Sequence, residues 1–119
     1  MSETVRILVV ESQQTLCDRI AALLRAAGYS VDIAHSGREA VLQASRVRYS
    51  RVVLDPLLPD IAGIMVYLML RGMDPELGRH TLFVPGSGSG SCMDAREVGL
   101  GQLEQPFAAE DLLERLELR

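Results

Sequence analysis

The sequence predicts an α/β fold built on a doubly wound parallel sheet, with helices on both faces. Short apolar segments of four to six residues alternate along the chain with longer segments of helical periodicity. Strict alternation of strand and helix implies parallel strands joined by right-handed crossovers. Polar residues directly follow the first and third predicted strands, where such sheets place their ligand sites. The 119 residues have the length of one domain, which we assign to residues 1–119.

The first half of the chain contains three predicted strands and two predicted helices. The strands are short apolar runs at residues 5–10, 31–34 and 51–54. Apolar residues from Leu16 to Ala27 share one helical face, and Gly28 supplies a C-cap. Ser36 is a predicted N-cap, and Glu39 three residues later completes a capping box that starts the second helix.

The second half begins with a predicted helix at residues 63–70, a turn at 74–78 and a strand at 81–84. A linker follows at residues 85–91, and then a helix at 92–99, a weak strand at 102–104 and a last helix at 107–118. The linker consists largely of Gly and Ser, which is typical of a segment without intrinsic structure. The last helix is clearly amphipathic.

Composition limits the classes of partner that suit this chain. A formal net charge of −4 argues against nucleic acid as the main partner, because phosphate binding requires a concentrated basic patch. No apolar run reaches the roughly 20 residues of a membrane span, and residues 1–4 lack the basic start of a secretory signal. We therefore expect a cytoplasmic protein in which Cys17 and Cys92 are free thiols without metal-binding spacing. The chain contains no lysine, so all 12 basic residues are arginines.

Several stretches of the sequence closely resemble the response-regulator receiver domain. They are residues 7–11, 27–29, 36–40, 52–63 and 105–107. The stretch around Asp55 is the most specific, because Pro59 and Gly63 follow it at spacings of four and eight residues. The resemblance implies a five-stranded parallel sheet in the order 2-1-3-4-5. It also implies that Asp55 accepts a phosphoryl group from a histidine kinase in a two-component phosphorelay.

The resemblance further implies a magnesium site beside Asp55. In the family, two acidic residues after strand one, the acceptor aspartate and a backbone carbonyl two residues later hold the cation, which offsets charge repulsion during phosphoryl transfer. Glu11 fills the first acidic position and Leu57 supplies the carbonyl, although Glu11 is alternatively a solvated acid at a strand end. Ser12 fills the second acidic position without a charge, so we expect Mg²⁺ binding to be weak or absent.

Three further positions of the family's pocket are altered in this sequence. The hydroxyl residue after strand four aligns with Gly86, or with Pro85 or Ser87 if a gap is placed differently, and of these only Ser87 carries a hydroxyl. The lysine that completes the oxyanion clamp is Gln105, and the switch aromatic of strand five is Gln102. The family has a cis peptide bond before the following proline, so we expect the bond between Gln105 and Pro106 to be cis.

The third predicted helix has an unusual second apolar stripe. Met65, Leu68 and Met69 lie at helical spacing on the face opposite its core face. A helix on the surface of a sheet needs only one apolar stripe. Either neighbouring structure covers this second stripe, or it is an exposed surface for a protein partner. In the second case a homodimer is the simplest assembly.

Three classes of function remain open. The favoured one is a receiver domain with a degenerate phosphorylation pocket, which is not an enzyme and acts through interaction with a histidine kinase or a downstream signalling protein. The alternative is a conventional phospho-acceptor receiver that uses Asp55. A flavodoxin-like enzyme or nucleotide binder is disfavoured, because the sequence has no phosphate-binding fingerprint. His35 and His80 show no ligand spacing and are predicted surface residues.

Overall fold

A parallel β-sheet forms the centre of the structure, a computed structural model that describes residues 5–86 and 98–118. Its strands are β1 (Arg6–Val10), β2 (Ser30–Ala34), β3 (Arg51–Leu54) and β4 (Thr81–Phe83). They pair in parallel in the order β2-β1-β3-β4. The parallel sheet and its predicted strand order are therefore confirmed as far as the fourth strand.

Helices cover both faces of this sheet. Within the described ranges they are α1 (Gln14–Ala26), α2 (Gly37–Arg46), α3 (Gly63–Met73), α4 (Pro75–Arg79) and α5 (Ala109–Arg115). Alternate residues of β1 enter two separate cores, because successive side chains of a strand point to opposite faces. Val9 belongs to the core that contains α1 and α5, and Leu8 belongs to the core that contains α2 and α3. The doubly wound architecture is thus confirmed.

The predicted fifth strand is reduced to a single bridge in the described part of the chain. Gln102 pairs in parallel with Phe83 of β4, and the N–H of Leu103 donates to the Phe83 carbonyl at 2.8 Å. This segment lies beside β4, where the predicted order places strand five. Most of the predicted fourth helix, from Cys92 to residue 97, lies outside the described residues.

The prediction of a turn at residues 74–78 is wrong, because this segment forms the short helix α4. Asp74 caps it by accepting a hydrogen bond from the N–H of Glu76 at 3.1 Å. Pro75 stands in the first turn, where its fixed φ suits a helix and its missing N–H needs no partner. An Asp-Pro-Glu sequence begins both turns and helices, so the local pattern does not separate them.

Helix ends also differ from the predictions. Helix α3 continues to Met73, past the predicted end at residue 70, and α5 is shorter than the predicted helix at 107–118. Gly28 follows α1 with a φ of 98°, as expected of a glycine C-cap. No helix in the described ranges is long and apolar enough to cross a membrane.

The predicted capping box of α2 is half formed. The Ser36 hydroxyl accepts a hydrogen bond from the N–H of Glu39 at 3.2 Å, as expected. The Glu39 carboxylate, however, accepts from the N–H of His35 at 3.2 Å. Ser36 is therefore an N-cap, as predicted, while Glu39 ties the helix to the preceding residue of the loop.

Candidate functional site

The carboxyl ends of β1 and β3 bring Glu11 and Asp55 side by side. The residues before them, Val10 and Leu54, are register partners in the parallel ladder. The N–H of Asp55 donates to the Val10 carbonyl at 2.9 Å, which continues the ladder beyond the strands. Both acidic residues are buried, each with 1% of its surface exposed. The two side chains share one pocket at the sheet edge that the sequence predicts.

Hydrogen bonds fix the direction of the Asp55 carboxylate. Its Oδ1 accepts from the N–H of Leu57 at 2.9 Å, and its Oδ2 accepts from the Ser12 hydroxyl at 3.3 Å. The loop that follows is closed by the N–H of Gly63, which donates to the Pro56 carbonyl at 2.9 Å. A Cβ on Gly63 would meet the Asp55 carbonyl oxygen and lie 2.6 Å from the Pro56 Cα. Only glycine therefore permits this close approach of loop and helix.

Glu11 is a buried acid, so the alternative of a solvated strand-end residue is wrong. Burial, together with the neighbouring Asp55, raises the pKa of Glu11 from 4.5 to about 9. Its Oε1 accepts a hydrogen bond from the N–H of Gln13 at 3.2 Å. Its Oε2 is buried and has no hydrogen-bond partner among the described residues. Burial and the neighbouring Asp55 carboxylate therefore favour the protonated form of Glu11 when the pocket holds no cation.

The free energy of unfolding is expected to fall as the pH rises, because of Glu11. A group whose pKa is raised on folding keeps a proton in the folded chain that the unfolded chain has released. The destabilising effect is absent below the ordinary pKa of 4.5 and grows until the pH passes about 9. Glu11→Gln keeps the shape without the charge, so it should remove this slope in urea unfolding from about pH 5 to about pH 8 without metal ions. Parallel pH curves for the two proteins would contradict the assignment.

The pocket offers an incomplete set of ligands for Mg²⁺. The carboxylates of Glu11 and Asp55 are present, and the backbone carbonyl of Leu57 is the third expected ligand. The partnerless Oε2 of Glu11 suits a cation, because a buried oxygen without a hydrogen bond gains from one. Ser12 supplies only a hydroxyl, and the described residues contain no group of three or more His, Cys, Asp or Glu side chains that could hold a metal. These ligands fit weak Mg²⁺ binding.

The resemblance assigns the oxyanion clamp to two positions, which are occupied here by Gly86 and Gln105. Gly86 is buried just beyond β4. The Gln105 carboxamide donates to the neighbouring Pro85 carbonyl at 3.3 Å. The Gln105–Pro106 peptide bond is cis, the isomer expected from the resemblance. Ser87, the other candidate for the hydroxyl position, lies outside the described residues.

Gln102, at the position of the switch aromatic, is held in a buried state. The residue is 8% exposed, and its carboxamide donates to Glu104 at 3.1 Å. The Arg115 guanidinium donates to the Gln102 carbonyl at 2.8 Å, which ties this segment to α5. These contacts hold Gln102 on the sheet.

Asp60 has a structural role that sequence reasoning missed. Its two carboxylate oxygens accept from the N–H groups of Gly37 at 2.9 Å and Arg38 at 3.0 Å. These hydrogen bonds, with Arg38 the larger cause, hold the pKa of Asp60 below its ordinary value. The loop after Asp55 therefore caps the N-terminus of α2. The only signal in the sequence is an acid three residues before Gly63, and spacing alone does not reveal its partner.

The second apolar stripe of α3 is exposed. Met65, Leu68 and Met69 are 48%, 40% and 44% exposed. A groove of about 600 Å³ runs between α2 and α3, and exposed Leu42 and Met73 line it together with Met69. No element in the described ranges covers this stripe. The structure of residues 5–86 and 98–118 therefore does not support the alternative in which neighbouring structure covers this face of α3.

Comparisons with known proteins identify relatives that match nearly the whole chain. The family model of the response regulator receiver domain matches residues 7–117. Response regulator MprA of Mycobacterium tuberculosis is 34% identical over 113 residues, which cover 95% of this chain and 49% of that protein. The transcriptional regulatory protein TrcR of the same organism is 32% identical over 117 residues, which cover 94% of this chain and 44% of that protein. The chain thus spans about half the length of the curated relatives it matches.

A solved structure gives the same result for the fold. The CheY-like response regulator receiver domain protein from Methanospirillum hungatei JF-1 superimposes with a TM-score of 0.85 at 22% identity, covering 97% of this chain and 92% of that one. At this identity the likeness shows the fold alone, and the family assignment rests on the matched model and the curated relatives. On these grounds the chain belongs to the response regulator receiver domain family.

Proposed function

We propose that this chain is a bacterial signalling receiver domain with a degenerate phosphorylation pocket, which acts through protein–protein interaction without depending on phosphorylation of Asp55. Its family operates in two-component signalling. The observation that carries the proposal is the hydrogen bond of 3.3 Å from the Ser12 hydroxyl to the Asp55 carboxylate. One oxygen of the candidate acceptor carboxylate is thus hydrogen-bonded to a neutral hydroxyl, at the position where the family has an acid.

Two losses weaken phosphoryl transfer in this pocket. Ser12 leaves two carboxylates and one carbonyl to hold the Mg²⁺ that would offset repulsion between Asp55 and the phosphoryl oxygens. Gln105 replaces the cation of the oxyanion clamp, and its carboxamide is engaged with the Pro85 carbonyl. Loss of one preorganised oxyanion donor typically lowers the rate by about 10²–10³.

The second candidate function is a conventional phospho-acceptor that uses Asp55. It is favoured by the position of Asp55 at the end of β3 and by the 2.9 Å hydrogen bond from Leu57, which orients the carboxylate. The partnerless Oε2 of Glu11 also suits a cation beside it. This candidate requires that the remaining ligands bind Mg²⁺ tightly enough for catalysis.

The proposed interaction surface is the exposed face of α3 formed by Met65, Leu68 and Met69. An apolar face left in water gains nothing for folding and favours association. Of the residues that line the adjacent groove, Arg38 alone is charged, so the face needs an apolar partner more than an oppositely charged one. A second copy of this chain supplies such a face through two-fold symmetry. A homodimer is therefore the proposed assembly, and a histidine kinase or a downstream signalling protein is the other outcome to be tested.

The expectation that nucleic acid is not a partner rests on the net charge of −4 alone. TrcR is named a transcriptional regulatory protein, and this chain spans 44% of its length. The prediction about nucleic acid accordingly concerns residues 1–119 only.

Beryllofluoride, a phosphoryl mimic, tests the proposed function directly. Amide NMR titration with beryllofluoride at sub-millimolar Mg²⁺ should give no saturable shifts for the unmodified protein. A variant with Ser12→Asp and Gln105→Lys restores one anionic ligand and the cation, so we expect saturable binding at the same Mg²⁺ concentration.

Asp55→Asn in that restored background is the matched control, since it removes the acceptor carboxylate and should abolish binding. Saturable binding of beryllofluoride by the unmodified protein would instead establish Asp55 as a working acceptor. The conventional receiver would then replace the degenerate one as the function of this chain.

A further inference from the structure

We infer that α3 carries a site of reversible oxidation, at which a hydroperoxide converts Met65, Met69 and Met73 to sulfoxides and thereby weakens the proposed homodimer. The three side chains follow one another at intervals of four residues, so they form one line along the helix surface, the methionine stripe. The inference rests on the proposed function, because it concerns the same exposed face of α3.

The exposure of the methionine stripe carries this inference. Met73 is 45% exposed, close to the values of Met65 and Met69. Three of the five methionines in the sequence therefore lie on one helix face that dissolved oxidants can reach. Accessible methionine is a common target of oxidation, and the change is reversible.

The thiol of Cys17 is a poor competitor for the same oxidant. Cys17 is fully buried in the core that contains α1. Burial is the main cause that raises the pKa of its thiol above the ordinary value, and the thiolate is the reactive form of cysteine. Within residues 5–86 and 98–118, the accessible sulfur-containing side chains therefore all lie on α3.

The chemical step is the transfer of one oxygen atom. The thioether sulfur attacks a peroxide oxygen, so the O–O bond breaks and an S–O bond forms. Sulfur is oxidised by two electrons, and the hydroperoxide is reduced to water or to an alcohol. The sulfoxide is polar where the thioether was apolar, and methionine sulfoxide reductases reverse the change.

A sulfoxide on the stripe opposes burial of this face. Met69 and Met73 line the groove between α2 and α3, where Arg38 and Ser45 are the polar members of an otherwise apolar lining. A sulfoxide oxygen that leaves water without gaining a hydrogen-bond donor makes association less favourable. Control of this kind acts at the docking face itself, which suits a receiver that does not depend on phosphorylation of Asp55.

Peptide mass spectrometry after brief treatment with hydrogen peroxide tests the site. The three methionines should be oxidised at rates close to those in the same protein unfolded in urea, because the fold leaves them accessible. Cys17 of the folded protein should stay reduced. Oxidation of the stripe that is much slower in the folded protein than in urea would overturn the inference.

Sedimentation velocity before and after the same treatment tests the effect on association. Oxidation should raise the dimer dissociation constant by about tenfold or more, as expected when a polar group is buried without a partner. Methionine sulfoxide reductases should restore the original value. A variant with Met65→Leu, Met69→Leu and Met73→Leu is the matched control, because leucine is similar in volume and has no sulfur. This variant should associate, and peroxide should leave its association unchanged.

Two results would overturn the effect on association. One is undiminished association of the fully oxidised protein, and the other is an equal loss in the leucine variant, which retains both cysteines and the other methionines. A protein that is monomeric before oxidation would remove the homodimer of the proposed function, and this effect with it. The mass spectrometry would then still decide whether the stripe is a site of oxidation.

Discussion

Gly63→Ala is expected to destabilise the protein severely, by roughly 3 kcal/mol or more. Overpacking in a well-packed site typically destabilises by about 1–3 kcal/mol, and here the added Cβ meets backbone atoms that cannot rotate away. It would contact the Asp55 carbonyl oxygen and approach the Pro56 Cα to 2.6 Å. Relief requires displacement of the loop between β3 and α3, which also carries the N–H of Leu57 that orients Asp55. Urea unfolding of the variant and the unmodified protein measures the loss.

Gly72→Ala is the matched control, since it makes the same change in the same helix. A Cβ on Gly72 meets no atom within 4 Å. Alanine in a helix is more stable than glycine by roughly 0.5–1 kcal/mol, so this variant should be slightly stabilised. Equal effects of Gly63→Ala and Gly72→Ala would show that the close approach at Gly63 is not required by the fold.

Leu68→Glu combined with Met69→Lys is expected to abolish self-association and leave the fold intact. The two side chains are 40% and 44% exposed, so charges there remain in water in the monomer. Burial of apolar surface contributes about 25 cal/mol per Å², so three side chains against a partner can supply several kcal/mol before the entropic terms of association are subtracted. Methionine suits such a contact because its flexible side chain adapts to the partner. Sedimentation velocity over a range of concentrations, with circular dichroism to monitor folding, measures both expectations.

Ala22→Glu combined with Ala26→Lys places the same charges on exposed positions of α1 and should leave association unchanged. A chain that stays monomeric without any substitution would exclude the homodimer. Unaltered association of the folded Leu68→Glu, Met69→Lys variant would exclude this face. Unfolding of that variant would show that the face is buried within the monomer.

Much of the fold is predictable because its signals are local. Continuous apolar runs mark strands that are buried on both faces, and their alternation with helices fixes parallel pairing. The segment that begins at Asp74 and Pro75 is mispredicted as a turn, because the same residues can begin either a turn or a helix. The fifth strand, weak in sequence, is equally weak in structure, with one bridge at Gln102.

The candidate site is less predictable because its contacts join distant segments. Asp55 and Glu11 are placed correctly at the sheet edge, since each follows a strand. The burial of Glu11 depends on the register of β1 and β3, which sequence spacing does not report. The contact of Asp60 with α2 joins a loop to a distant helix, and no spacing in the sequence would reveal it.

Asp60 accepts hydrogen bonds from two N–H groups of α2, so the loop after Asp55 connects the Asp55 pocket with α2. At one end of the loop, the N–H of Leu57 orients the Asp55 carboxylate. In its middle, Asp60 binds the N-terminus of α2, the helix beside the exposed face of α3. The same loop thus contacts both the Asp55 carboxylate and the N-terminus of α2. Coupling free energies between binding sites are reciprocal. Any coupling between a partner docked on the helices and a ligand in the pocket would therefore be mutual, each changing the affinity for the other by the same factor.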